Sequence, residues 1–249
     1  MSHEIWPFWG VREPVSAATH CAACIWSIYA SLFLWRLCRG DRARQCATSC
    51  FGASMVVLYA ASAIYHTVRC PPGPLHYFRL FDQTAIFALI AGTYTPVFHV
   101  LLRDSARKRV LIRGIWVLAA LGVAAKWLLP REPYWLTVFL YLSLAYSGML
   151  CIKDLWQTTG MRGMLWVAWG GIFYTVGALA DLVEWPIVYP GVFGYHEFFH
   201  VCTMAGTFCH YAFILLFVLP YAAPAKELGL LPGATAAGAG FALAEARVR

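Results

Sequence analysis

Arg79-Leu-Phe-Asp-Gln-Thr-Ala-Ile-Phe-Ala-Leu-Ile-Ala-Gly-Thr-Tyr-Thr-Pro-Val-Phe-His-Val-Leu-Leu102 carries one ionisable residue, Asp82, between its leading arginine and His99. At about 1.5 Å per residue, a helix of this length outreaches the roughly 30 Å of hydrocarbon in a bilayer. No strict alternation of apolar and polar residues runs through it, which sets aside a barrel strand. It reads as a membrane-spanning helix. Six more apolar runs surround it, at 16–36, 46–68, 110–129, 134–152, 163–183 and 195–220.

The connections agree with these limits. Arg39, Asp41, Arg42 and Arg44 part the first two runs, and Cys70-Pro-Pro-Gly-Pro74 breaks the chain before the third. Arg103 to Arg109 is a basic loop. Pro130-Arg-Glu-Pro133 follows the fourth run, and Pro186 and Pro190 precede the last. Proline removes a backbone donor and so ends helices at such places. The expected fold is all-α, an integral membrane bundle of seven transmembrane helices. Residues 1–15, with Trp6, Phe8 and Trp9, suit an interfacial segment without the features of a secretory signal. The bundle takes 16–222, and 223–249 reads as a flexible Ala/Gly-rich tail.

Composition excludes the soluble classes. The chain of 249 residues is 61% hydrophobic and 12% charged, with a mean hydropathy of +0.62. A soluble domain carries about 25% charged residues, so a soluble monomer, a disordered chain and a disulfide-framed secreted module all fail. The net charge of +7 points to loops against anionic membrane lipid rather than to nucleic acid. Fourteen basic residues fall in the first, third and fifth loops and the C-terminal tail, and five on the N-terminal side. The positive-inside rule then sets the N-terminus outside and the C-terminus in the cytoplasm. Six of the nine cysteines (Cys21, Cys24, Cys50, Cys151, Cys202 and Cys209) lie in apolar runs, where thiols act as small hydrophobes. Cys21-Ala-Ala-Cys24 has redox spacing but no βαβ setting.

Ionisable residues inside spans are costly and mark function. His66, Asp82, His196, His200 and His210 stand out. His196 and His200 share one helical face, about 6 Å apart along the axis, and Ser62 and His66 repeat that spacing. Successive helices run in opposite directions, so the end of the second and the starts of the third and seventh meet at one membrane face. His66, Asp82, His196 and His200 thus lie at similar depth. Three imidazoles and an open fourth position make a catalytic zinc site, with Asp82 and Ser62 holding a water or orienting a ligand. Histidines satisfied by bonds between helices fit the same spacing.

Residues 196–200 also spell H-E-x-x-H, in which Glu197 would be the base of a metalloprotease. The usual third ligand downstream is missing, and a charge favourable at a helix N-terminus is the plainer reading. His20 and His99 read as bundle histidines. His210 lies about 15 Å beyond His200 by helical rise, too far for the same metal. Asp181 and Glu184 flank the end of the sixth helix, where lining the mouth of the pocket is one reading and a solvated cap the plainer one.

Three blocks together resemble the haemolysin III family, the bacterial branch of the progestin and adipoQ receptor family: Ser62-Ala-Ile-Tyr-His66, Phe81 to Pro96 with Tyr94 inside it, and His196-Glu-Phe-Phe-His200 with Gly206 and His210. Arg12-Glu-Pro-Val-Ser-Ala-Ala-Thr-His20 resembles its opening motif, with Ser16 where asparagine is usual. The resemblance implies a seven-helix bundle with Zn2+ on His66, His196 and His200, and with Ser62 and Asp82 beside it. It further implies the plasma membrane of a bacterium. Receptors and alkaline ceramidases of this wider group imply hydrolysis of a lipid amide such as ceramide. The haemolysin label implies a cytolytic pore, and a sensor of membrane state with structural zinc is a third reading. A pore needs a continuous polar stripe, whereas the polar residues gather at one end. The receptor branch implies a cytoplasmic N-terminus, opposite to the charge count.

Overall fold

The computed structural model describes residues 6–102, 104–129 and 133–221. Seven α-helices follow in order: α1 Pro14–Leu37, α2 Arg42–Thr67, α3 Pro72–Leu101, α4 Ser105–Leu128, α5 Tyr134–Tyr146, α6 Ile152–Leu182 and α7 Tyr195–Phe213. A 3-10 turn, Ser147–Cys151, joins α5 to α6, and a π-helical turn, Ile214–Val218, extends α7. Among the described residues there are no strands, only isolated bridges at Phe8–Val11 and Tyr189–Phe193. The tail expected over 223–249 lies outside the described residues.

Helix starts follow from the local residues. Pro14 opens α1 at a position where its missing N–H has no helical partner to lose. Asp41 accepts from the Arg44 amide at 3.0 Å to start α2. Asp104 accepts from the amides of Ala106 and Arg107 at 2.7 and 3.1 Å to start α4. Those bonds hold the exposed Asp104 carboxyl below the usual carboxylate range. The third helix begins at Pro72, earlier than the apolar pattern at 79 predicts. Pro72 and Pro74 sit in its first turn, where proline is tolerated, so the Pro-rich segment starts the helix.

Among the described residues, six helical stretches are long and apolar enough to cross a membrane. The runs expected at 134–152 and 163–183 form one stretch, Tyr134–Leu182, of 49 residues. That stretch is bent back on itself. The Tyr134 hydroxyl at its start donates to the Asp181 carboxylate at its end, although a straight helix would part them by about 70 Å. The reversal passes through the 3-10 turn and through Gly160, whose φ of 61° and ψ of −170° break the helical path. At that far end Arg107 pairs with Asp154 at 2.9 Å, tying the start of α4 to the reversal.

α2, α3 and α7 form the interior, with 56% of each apolar window buried, against 22% for α4. Phe51, Met55, Tyr59, Leu89, Phe98 and Ile214 pack in one buried cluster among them. Gly92 of α3 lets it close on α2, since a Cβ there would lie 2.3 Å from Ser54 Oγ. Ile25, Tyr29, Val117, Leu121 and Trp169 stand exposed on the outside, as a lipid-facing surface requires. Arg44 of α2 donates to the carbonyls of Leu219 and Tyr221 at 2.9 and 3.0 Å, closing the end of the last helix.

Candidate metal centre

The second helix delivers His66 in its last turn, and the seventh delivers His196 and His200 in its first two. The ring centroids are 5.1 Å apart for His66 and His196, 4.7 Å for His66 and His200, and 4.5 Å for His196 and His200. One nitrogen from each ring lies within 4.8 Å of the other two. That bound is a little more than twice a zinc–nitrogen bond of about 2.0–2.1 Å.

Carboxylates orient two of the rings. His66 Nδ1 meets Glu13 Oε2, and His196 Nδ1 lies 3.0 Å from Asp181 Oδ1. A carboxylate only accepts, so each Nδ1 carries the proton and each Nε2 is left as a lone-pair donor. This is how carboxylates prepare histidines for a metal. Asp181 is fully engaged, because Tyr134 donates to its other oxygen. The fit to a metal also shows in what lacks a partner: His66 Nε2 and His200 Nδ1 are buried without a hydrogen bond. A buried polar atom left so costs about 1–3 kcal/mol.

Asp82 Oδ2 stands 4.0 Å from His66 Nε2, too long for a hydrogen bond and facing the same space. Ser62 Oγ, buried on α2, neighbours that carboxylate without closing a hydrogen bond to it. The structure thus brings together His66, His196, His200, Asp82 and Ser62.

Other candidates fall elsewhere. Glu197 is buried, with Oε2 accepting from the Gly194 amide at 2.9 Å and Oε1 from Ser16 Oγ at 2.8 Å. Oε1 thus ties α7 to α1 and Oε2 caps the start of α7, the role that a charge at a helix N-terminus favours. Tyr94 donates to the Ala145 carbonyl, about 18 Å along α3 from Asp82 by helical rise. His210 packs 5.5 Å from the Tyr174 ring and hydrogen-bonds the Val167 backbone. His20, by contrast, a pocket candidate whose plainer reading is a satisfied bundle histidine, does lie at the cluster, with its ring centroid 3.9 Å from that of His200 and no hydrogen bond at either nitrogen among the described residues.

Glu13, which the pattern does not single out, stands at the cluster together with Asp181. Asp181, expected as a solvated cap, is 7% exposed because α6 ends against α7. Glu13 is positioned by a short strap: its amide donates to the His66 carbonyl at 3.0 Å, and Arg12 lies 4.3 Å over the Tyr65 ring. Burial alone would raise the Glu13 carboxyl, but the bond to His66 and the charge of Arg12 hold it below its ordinary value. The hairpin rule that gathers the histidines places the start of α1 and the end of α6 at this same face, and that was the available signal.

Residues 8–211 match the family described as Haemolysin-III related. The chain is 30% identical over 213 residues to Hemolysin-3 of Bacillus cereus, covering 85% of this chain and 94% of that protein. It is 29% identical over 170 residues to a Hemolysin-3 homolog of Bacillus subtilis (strain 168), covering 68% and 79%.

Proposed function

The chain belongs to the haemolysin III-related family, and from that premise we propose a bacterial inner-membrane hydrolase of lipid amides, dependent on zinc at His66, His196 and His200. The observation that carries this reading is the pair of carboxylate-held imidazoles whose free nitrogens converge beside Asp82. Three nitrogen donors with an open position suit zinc in a catalytic rather than a structural setting. Such an ion supplies Lewis acidity to a carbonyl and acidity to a water. Asp82 orients the attacking water, accepts its proton as it adds to the amide carbon, and returns the proton to the amine nitrogen as the C–N bond breaks. Ser62 stands beside the Asp82 carboxylate with its hydroxyl unpartnered, a second group that could hold the water. The products are a fatty acid and an amine.

The bent stretch Tyr134–Leu182 supports seven crossings: its length of about 70 Å exceeds twice the hydrocarbon layer, and its two ends meet. The basic residues gather at the end away from the histidines, so the N-terminus and the metal centre face outward.

The first test is metal content by mass spectrometry of detergent-purified protein, beside a His196→Ala, His200→Ala double variant. About one zinc per chain, lost in the variant, is the expected result. No metal in either, after zinc is supplied, sinks the reading. The name of the Bacillus cereus relative favours a second reading, lysis. Ceramide turnover that disappears in the variant supports the hydrolase, and dye leakage from liposomes without turnover supports lysis.

A further inference from the structure

At the end of the bundle away from the histidines, α6 and α7 leave an open groove of about 480 Å³, within the range of roughly 300–1,000 Å³ typical of ligand sites. Arg162 stands at its mouth. Leu165, Trp166, Trp169 and Phe173 continue inward from it on α6, and Cys209 and Phe217 face them from α7. The α6 positions recur at three, four, seven and eleven residues from Arg162, which is one face of a helix. Arg162 is exposed and makes no hydrogen bond or ion pair among the described residues. We propose that this groove holds one anionic phospholipid, with its phosphate on Arg162 and one acyl chain along the aromatic stripe.

Three observations commit the groove to that occupant. From Arg162 to Phe173 the helix rises about 16 Å, half the roughly 30 Å of hydrocarbon, so the groove has the depth of one leaflet. Its polarity follows that of a lipid, with a cation at the interface and aromatic and aliphatic carbon below. Its surroundings do not oppose an anion: Arg36, Arg39, Arg42, Arg109 and Lys153 are exposed at the same end and outnumber Asp41, Asp104 and Asp154 there. Each basic residue near a bilayer surface attracts an anionic lipid by about 1 kcal/mol. This site shares no residue with the metal centre and stands or falls without it.

The test is native mass spectrometry of the full chain in detergent, titrated with phosphatidylglycerol or with phosphatidylcholine of the same acyl chains. The wild type is expected to retain one phosphatidylglycerol about five-fold more tightly than phosphatidylcholine, the effect of a single cation. Arg162→Gln abolishes that preference, and Arg36→Gln, an equal loss of charge at the same end, keeps it. Leu165→Trp, which fills the groove and spares the charge, weakens retention of both lipids. Equal retention of the two lipids by the wild type overturns the proposal. So does a preference that survives Arg162→Gln, one lost as fully in Arg36→Gln, or retention indifferent to Leu165→Trp.

Discussion

Glu13, just before α1, and Asp181, at the end of α6, are far apart in the chain and make the same contact, each holding the Nδ1 of an imidazole. Losing such a partner typically lowers metal affinity about 10–100-fold. Glu13→Gln and Asp181→Asn are therefore expected to weaken zinc retention by that factor in a chelator competition, with the helical content by circular dichroism unchanged. Tyr134→Phe leaves both Asp181–His196 atoms in place, so its effect falls well below that of Asp181→Asn. Equal affinity across all three variants and the wild type would show that the carboxylates do not tune the site. The histidines themselves are legible in the sequence, because an ionisable group in an apolar run is conspicuous. Glu13 is not, and Asp181 is only as one of two readings, because each stands at the edge of a run where a charge costs nothing until the fold buries it.

Gly160 decides how the longest helical stretch is folded. Its φ of 61° with ψ of −170° lies in a region essentially confined to glycine, and a Cβ added there meets nothing within 4 Å. The penalty for a side chain is thus one of backbone alone. Gly160→Ala and Gly160→Ser are expected to destabilise the protein by the same amount, about 1–3 kcal/mol, read from thermal unfolding in detergent. A neutral result for either substitution would mean that the bend does not depend on this torsion. The apolar pattern separated two runs here, and the backbone runs on in helical form between them, because a bend needs only one turn and one glycine. Pro72 teaches the converse: a Pro-rich segment reads as an interruption by composition, yet its position in a first turn makes it a start. Hydropathy thus recovers which residues are apolar, and the ends of the elements depend on torsions and caps that it does not encode.

The buried polar groups of the described residues are of two kinds, those without a hydrogen-bond partner and those saturated with them. Near the metal centre His20, Ser62, His66, His200 and Thr203 have buried atoms without partners. Deeper in, Thr207 is saturated: its hydroxyl donates to the Thr203 carbonyl at 2.9 Å and accepts from Tyr59 and Tyr174 at 2.7 and 2.8 Å, the full capacity of a hydroxyl. Thr207→Val orphans both tyrosines and is expected to cost about 2–6 kcal/mol, at the usual 1–3 kcal/mol for each buried group. Thr207→Ser keeps the acceptor and costs less, and a melting comparison of the two checks it. The gathering of polar residues at one end was visible in the sequence from hairpin geometry. The knot of Tyr59, Thr207 and Tyr174 was not, since tyrosine and threonine are ordinary in apolar runs and only packing joins them across three helices. One hydroxyl thus joins α2, α6 and α7, so a change at Thr207 is felt on three helices at once.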